Sequence, residues 1–322
     1  MQEVQAASCI FSFFIKPFIY MGNGGVKMII DLVFSGGGVK AIAFIGVVEA
    51  LEERGIKVRR VAGTSAGAIV GALVAAGYTS TEIKSMLPTL SHLFFKENNQ
   101  KSWVPSWLRW LRLYWKKGLY TGDGLLDWLE QKLKDKGIRR FCDLPYGSFK
   151  MVASDLTAGK MIVLPDDAIN YDRDPQLMNV AKAVRMSASL PFFYEPVRLM
   201  KGKQVHLIVD GGVLSNFPIW LLEEKGADNT IPIIGFQLQT EDKKQVHHKI
   251  NNVIELYSAL FITMKEAHDA RHLEKIGKRN VLIIPVPSIS LTNAYMSANE
   301  MHALIETGRA CTLAYLDEQI LQ

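Results

Sequence analysis

Two short apolar runs, each cut by a glycine-rich break and followed by a helical pattern, constrain this chain more than any other feature. Ile29–Phe34 (IIDLVF) reads as a strand buried on both faces, and Ser35-Gly36-Gly37-Gly38 ends it. Val39–Arg54 then reads as a helix, with Ile42, Ile45, Val48 and Leu51 at helical spacing and Gly55 at the C-terminal cap. Val58–Ala62 is a second strand. Gly63-Thr64-Ser65-Ala66-Gly67 follows it, and Ala66–Ala76 is a helix of small residues closed by Gly77. A chain that alternates in this way is expected to build a parallel sheet sandwiched by helices.

The alternation continues. Tyr120–Lys136, Met178–Met186, Lys249–Ile276 and Ser297–Leu316 read as helices. Lys150–Ser154, Met161–Leu164, His206–Val209, Ile231–Leu238 and Val281–Pro285 read as strands. No internal repeat interrupts the pattern. The organisation expected is a non-catalytic extension over 1–27, a catalytic domain over 28–220, and a part over 221–322 packed on the same domain.

Bulk properties narrow the function classes. With 48% hydrophobic and 21% charged residues, the 322-residue chain has ordinary globular proportions, which excludes a mostly disordered protein. A net charge of +5 without dense basic clusters excludes a nucleic-acid binder and suits a mild attraction to anionic surfaces. Cys9, Cys142 and Cys311 are odd in number and far apart, so no zinc site or disulfide framework is indicated and a reducing, cytoplasmic setting is expected. Cys9–Met21 is apolar but is broken by Lys16 and Pro17 and is too short to span a bilayer. It also lacks the layout of a secretory signal.

Three motifs carry chemistry. In Gly63-x-Ser65-x-Gly67 a serine stands on a strand-to-helix turn, exposed and strained as a nucleophile must be, at a helix N-terminus that favours developing negative charge. Alone, such a pentapeptide is also a plain tight turn. Gly36-Gly37-Gly38 can converge backbone amides on one point, as a phosphate nest or an oxyanion hole. A dinucleotide fingerprint is disfavoured, since Ala41 takes the third glycine position and no acidic residue closes a second strand about twenty positions on. Asp210-Gly211-Gly212 ends an apolar strand, where sheets of this class place their sites, although an Asp-Gly pair is equally a common turn.

Most serine hydrolases interpose a histidine between nucleophile and acid. His247, His248, His268, His272 and His302 all follow Asp210, so counting leaves a triad open. Position disfavours it: a hydrolase of the α/β class needs several strands before its nucleophile, and one βα unit and a second strand precede Ser65.

The stretches FSGGGVKA (34–41), GTSAG (63–67), ASDLTAG (153–159), MSASLPFFYEPV (186–197) and DGG (210–212) occur here in one order. Together they resemble the patatin-like phospholipases over about residues 29–220. The resemblance implies a three-layer α/β/α sandwich with a mainly parallel central sheet. It also implies a Ser-Asp dyad that cleaves lipid esters through an acyl-enzyme, as in lipid catabolism, with no metal or cofactor. By position Ser65 becomes the nucleophile and Asp210 the base, while Gly36, Gly37 and Gly38 supply oxyanion amides. Gly63, Gly67, Gly211 and Gly212 support the motifs. Lys40 and Ala41 stand where members often carry Arg and Gly. A free aspartate, with a pKa of about 3.9, is a weak base for a hydroxyl, so a desolvated setting is expected for Asp210. An acyltransferase built on the same acyl-enzyme is the alternative.

Residues 92–118 hold four of the six tryptophans. Trp103, Trp107 and Trp110 share one helical face, with Arg109 and Arg112 elsewhere. Such a stripe is either core packing or a surface for a lipid interface, and the implied substrate favours peripheral attachment to membranes there. Oligomeric state is left open.

Overall fold

The computed structural model describes residues 19–22, 25–99, 115–223, 231–240, 281–287, 296–320 and a few positions between 256 and 264. Most of the expected helix over 249–276 and the stripe of Trp103, Trp107 and Trp110 lie outside these residues, as does most of the 1–27 extension.

The first βα unit is β1 (Ile19–Gly22) and β2 (Gly25–Phe34), then α1 (Ala43–Glu53). The helix expected from Val39 begins instead as a short 3-10 turn over Gly38–Ile42, because the glycines hold the chain at the end of β2 before it can enter α geometry. Gly55, at φ 65°, closes α1: Ile56 N–H reaches back to Leu51 O, the bond that a left-handed cap permits. β3 (Lys57–Thr64) and α2 (Ala66–Ala75) complete the second unit. α3 (Ser80–Asn99), β4 (Gly118–Tyr120) and α4 (Asp123–Asp135) follow. Tyr120, read from the sequence as helical, belongs to β4.

β5 (Phe149–Asp155), β6 (Lys160–Leu164), α5 (Val180–Ser187), β7 (Phe192–Tyr194), β8 (Val197–Lys201) and β9 (Gln204–Asp210) carry the chain to the second half of the site. Asn179 caps α5, its side-chain oxygen accepting the Lys182 N–H at 2.8 Å. β10 (Ile233–Thr240), β11 (Val281–Val286) and α6 (Ala298–Ile320) end the chain, α6 entered through a reciprocal Ser297–Glu300 capping box.

Among the described residues nine strands form one sheet in the order β11-β10-β2-β3-β5-β9-β8, with β1 on β2 and β6 on β5. The pairings from β11 through β5 are parallel. The flanking pairings are antiparallel. The sheet is therefore mixed, with helices against it in an α/β sandwich. β9 departs from expectation: it runs antiparallel to β5, because the two-residue turn at Gly202 (φ 55°) and Lys203 folds it back on β8.

A buried ion pair joins β2 and β3 in the middle of this sheet. Asp31 on β2 is fully buried and accepts hydrogen bonds from Arg59 at 2.5 and 2.9 Å and from Arg60 at 2.6 and 2.9 Å. That pairing draws the two arginines of β3 onto β2, where the strand register shifts between Ile30 and Asp31.

Candidate active site

Ser65 stands between β3 and α2 with φ 56° and ψ −126°, a conformation that a residue with a side chain rarely adopts. The glycines around it are required by space. A Cβ on Gly67 would lie 2.4 Å from Ser35 O, and one on Gly63 would lie 2.7 Å from the Gly67 backbone. The turn is therefore pressed directly against the end of β2 and the start of α2.

Asp210 ends β9 and is 1% exposed. Its Oδ2 accepts the Ser65 hydroxyl at 2.5 Å, and its Oδ1 accepts the Gly212 N–H at 2.7 Å, so both carboxylate oxygens have a fixed direction. Gly211 must be glycine because a Cβ there would sit 2.3 Å from Val152 O of β5. Residues 145 positions apart thus meet.

The glycine run lies alongside. Gly36 departs from the expected donor set: its N–H is directed to Asn216 O at 2.9 Å. A Cβ on Gly36 would lie 3.4 Å from Ser65 Cβ and 2.5 Å from Asn216 Oδ1, and one on Gly37 would strike Leu238. Gly38, at φ 58°, and Ser65 line one cavity of about 160 Å³. Its walls are otherwise apolar, from Ile42, Ile45, Ile69, Leu73, Ile83 and Phe193 among others. Lys40 turns away to Thr240 Oγ1 at 3.2 Å.

Sequence reasoning gave no role to residues of the 186–197 stretch, yet these hold the site together. Ser187, at the end of α5, accepts the Ser65 N–H at 3.1 Å and donates to Val152 O at 2.6 Å. Ser189 O receives the Asp210 N–H at 2.9 Å. Leu190, Phe193 and Tyr194 line the cavity. The only advance signal was the stretch's place among the ordered motifs.

His206 and His302 lie elsewhere. His206 is buried with Nδ1 2.7 Å from Asp155 Oδ2, and His302 is exposed on α6. His247, His248, His268 and His272 lie outside the described residues. Among the described residues no group of three His, Cys, Asp or Glu could hold a metal ion.

Comparison with known proteins now decides the family. Its profile, described as "Patatin-like phospholipase", matches residues 32–222, which hold Gly36–Gly38, Ser65, Ser187 and Asp210. The chain belongs to the patatin-like phospholipase family. Membership supports lipid hydrolase activity. Among patatin-like relatives, the mouse protein named "Patatin-like phospholipase domain-containing protein 6" is 30% identical over 66% of this chain, which spans 14% of that protein. An uncharacterised protein of Bacillus subtilis, YqhO, is 44% identical over 90% of this chain and 99% of its own length. The patatin-like fold is shared with VipD of Legionella pneumophila (TM-score 0.52, 17% identity, 90% of this chain and 67% of that one). It is also shared with the ExoU–SpcU complex structure of Pseudomonas aeruginosa (TM-score 0.52, 18% identity, 91% and 52%).

Proposed function

We propose that this protein is a serine acyl hydrolase of lipid esters in which Ser65 and Asp210 act as a dyad. The observation that carries the reading is the 2.5 Å hydrogen bond from a strained, helix-capping serine to a carboxylate that is 1% exposed.

The acyl chain enters the apolar cavity beside Ser65, which brings the ester carbonyl against Oγ. As Oγ bonds to the carbonyl carbon, its proton passes to Asp210 Oδ2 and the carbonyl oxygen becomes an oxyanion. The N–H groups of Gly37 and Gly38 receive that charge. Each such donor typically contributes about 3–4 kcal/mol when preorganised. Collapse breaks the C–O bond, and Asp210 returns the proton to the leaving alcohol. Water then attacks the acyl-enzyme as its proton passes to Asp210; collapse breaks the bond from the acyl carbon to Oγ, Asp210 returns the proton to Oγ, and fatty acid leaves with the Ser65 hydroxyl restored. Gly36, committed to Asn216, shapes the loop instead of donating.

As part of the same proposal the enzyme works in the cytoplasm, peripherally at membranes. Incubation of wild type and Ser65→Ala with mixed lipids, with and without an acceptor alcohol, tests the reaction. Free fatty acid that depends on Ser65 is the expected product. A transfer product alone, or no product that depends on Ser65, overturns the reading.

A further inference from the structure

A second concavity lies away from Ser65. It has a volume of about 550 Å³ and is lined by Lys116, Thr121, Asp123, Lys182, Arg185 and Glu195, among others. A smaller one of about 190 Å³ shares Lys116 and Glu195 with it and adds Lys117 and Arg198. Across the two, five cations face two carboxylates.

Lys182 is the informative member. It lies on the first turn of α5 and is half-buried, and no ion pair or side-chain hydrogen bond joins it to a described residue. Burial, and then the charge of nearby Arg173, push its ammonium below the usual lysine range. An ammonium held out of water beside a second cation costs free energy that a bound anion would recover. Lys116, from the strand-entry segment before β4, faces the same space and likewise has no ion pair among the described residues. Arg185 forms the floor, held in place by hydrogen bonds to the carbonyls of Thr121, Gly122 and Glu195 and to the Ser189 hydroxyl. These are the features of a built anion site: a fixed guanidinium, two lysines and room for more than a bare ion.

The surroundings suggest how the anion arrives. Trp115, beside Lys116, is 68% exposed, and Phe192, paired with Gly118 across the β4–β7 ladder, is 39% exposed. Aromatic rings flanking cations suit contact with the headgroup layer of a membrane.

We propose that these joined cavities bind a phosphate ester through Lys116 and Lys182, presented by an anionic phospholipid headgroup or by a soluble phosphorylated molecule. The site is separate from the acyl cavity. It is also mechanically close to the dyad, since α5 carries Lys182 at its start and Ser187, the acceptor of the Ser65 N–H, at its end.

The test uses Ser65→Ala protein throughout, so binding is read without turnover and the result stands whether or not Ser65 is the nucleophile. Lys116→Gln/Lys182→Gln is compared with Lys57→Gln/Lys134→Gln, an equal change of charge at exposed lysines outside both cavities. Binding is measured to phosphatidylcholine vesicles with and without phosphatidylglycerol, and to sn-glycerol 3-phosphate by calorimetry. We expect phosphatidylglycerol-dependent vesicle binding to weaken about tenfold or more in the cavity variant alone. A selective loss of glycerol phosphate binding alone also supports the site and names a soluble ligand as its source. The proposal is overturned if neither ligand distinguishes the cavity variant from the control.

Discussion

Gly67 and Ser187 do unlike work for the same turn, one by having no side chain and the other by having a short polar one. A Cβ at position 67 would meet the backbone oxygens of Ser35 at 2.4 Å and Phe34 at 2.7 Å, and neither can move without displacing β2. Gly67→Ala is therefore expected to cost more than the about 1–3 kcal/mol usual for overpacking, read as a lowered thermal midpoint by circular dichroism. Ser187→Ala instead leaves the Ser65 N–H without its acceptor. Orphaning a buried donor costs about 1–3 kcal/mol, so kcat should fall about tenfold with KM little changed, and Ser187→Thr should restore much of it. Unaltered kinetics in Ser187→Ala would remove this residue from the account. At this scale Ser65, Asp210 and the glycines were legible because local backbone demands write themselves as short motifs. Ser187 and Asn216 were not, because what each touches is set by strands far away in sequence. The same cause hid the commitment of Gly36 to Asn216.

Between elements, α1 and α6 approach each other closely. A Cβ on Gly46 would lie 1.9 Å from Ile305 O, and one on Gly308 would lie 2.0 Å from Ala43 O, so the two helices touch backbone to backbone through reciprocal glycines. Gly308→Ala should force them apart and lower the thermal midpoint, although alanine is the better helix former by about 1 kcal/mol. An unchanged or raised midpoint would contradict this packing. The β5–β9 junction carries a pH-dependent term. Burial alone would push the Asp155 carboxyl up, but hydrogen bonds from Tyr171, the Ala158 N–H and His206 outweigh it and hold the group below its ordinary value. A depressed folded value means that this stability is fully present above the ordinary carboxylate range. It is lost as pH falls through the folded value. Asp155→Asn should flatten the acid limb of a stability-versus-pH curve measured by urea unfolding. The periodicities made most helices and strands readable. The direction of β9 was not readable, since an apolar run looks alike whichever way it is paired, and only the hairpin turn at Gly202 signals the reversal.

Over the whole molecule, the site is assembled from the ends of interior strands β2, β3 and β9 and of α5. Sequence order could pair Ser65 with Asp210 only through the company of other motifs, because nothing local says that residues 145 apart will meet. The apolar cavity was illegible for the same reason, since α1, α2, α3, α4 and α6 all line it. Its walls predict a substrate preference: Ile69→Asp should abolish hydrolysis of long-chain esters while the fold is retained, as assayed against acyl chains of graded length. The central claim is that Asp210, with no histidine between, takes the proton of Ser65. It is tested most directly by the rate of fatty acid release in Asp210→Asn protein whose thermal midpoint matches wild type. We predict a loss of about 10²–10⁴-fold, the usual contribution of a general base. A rate within a few-fold of wild type would contradict the dyad.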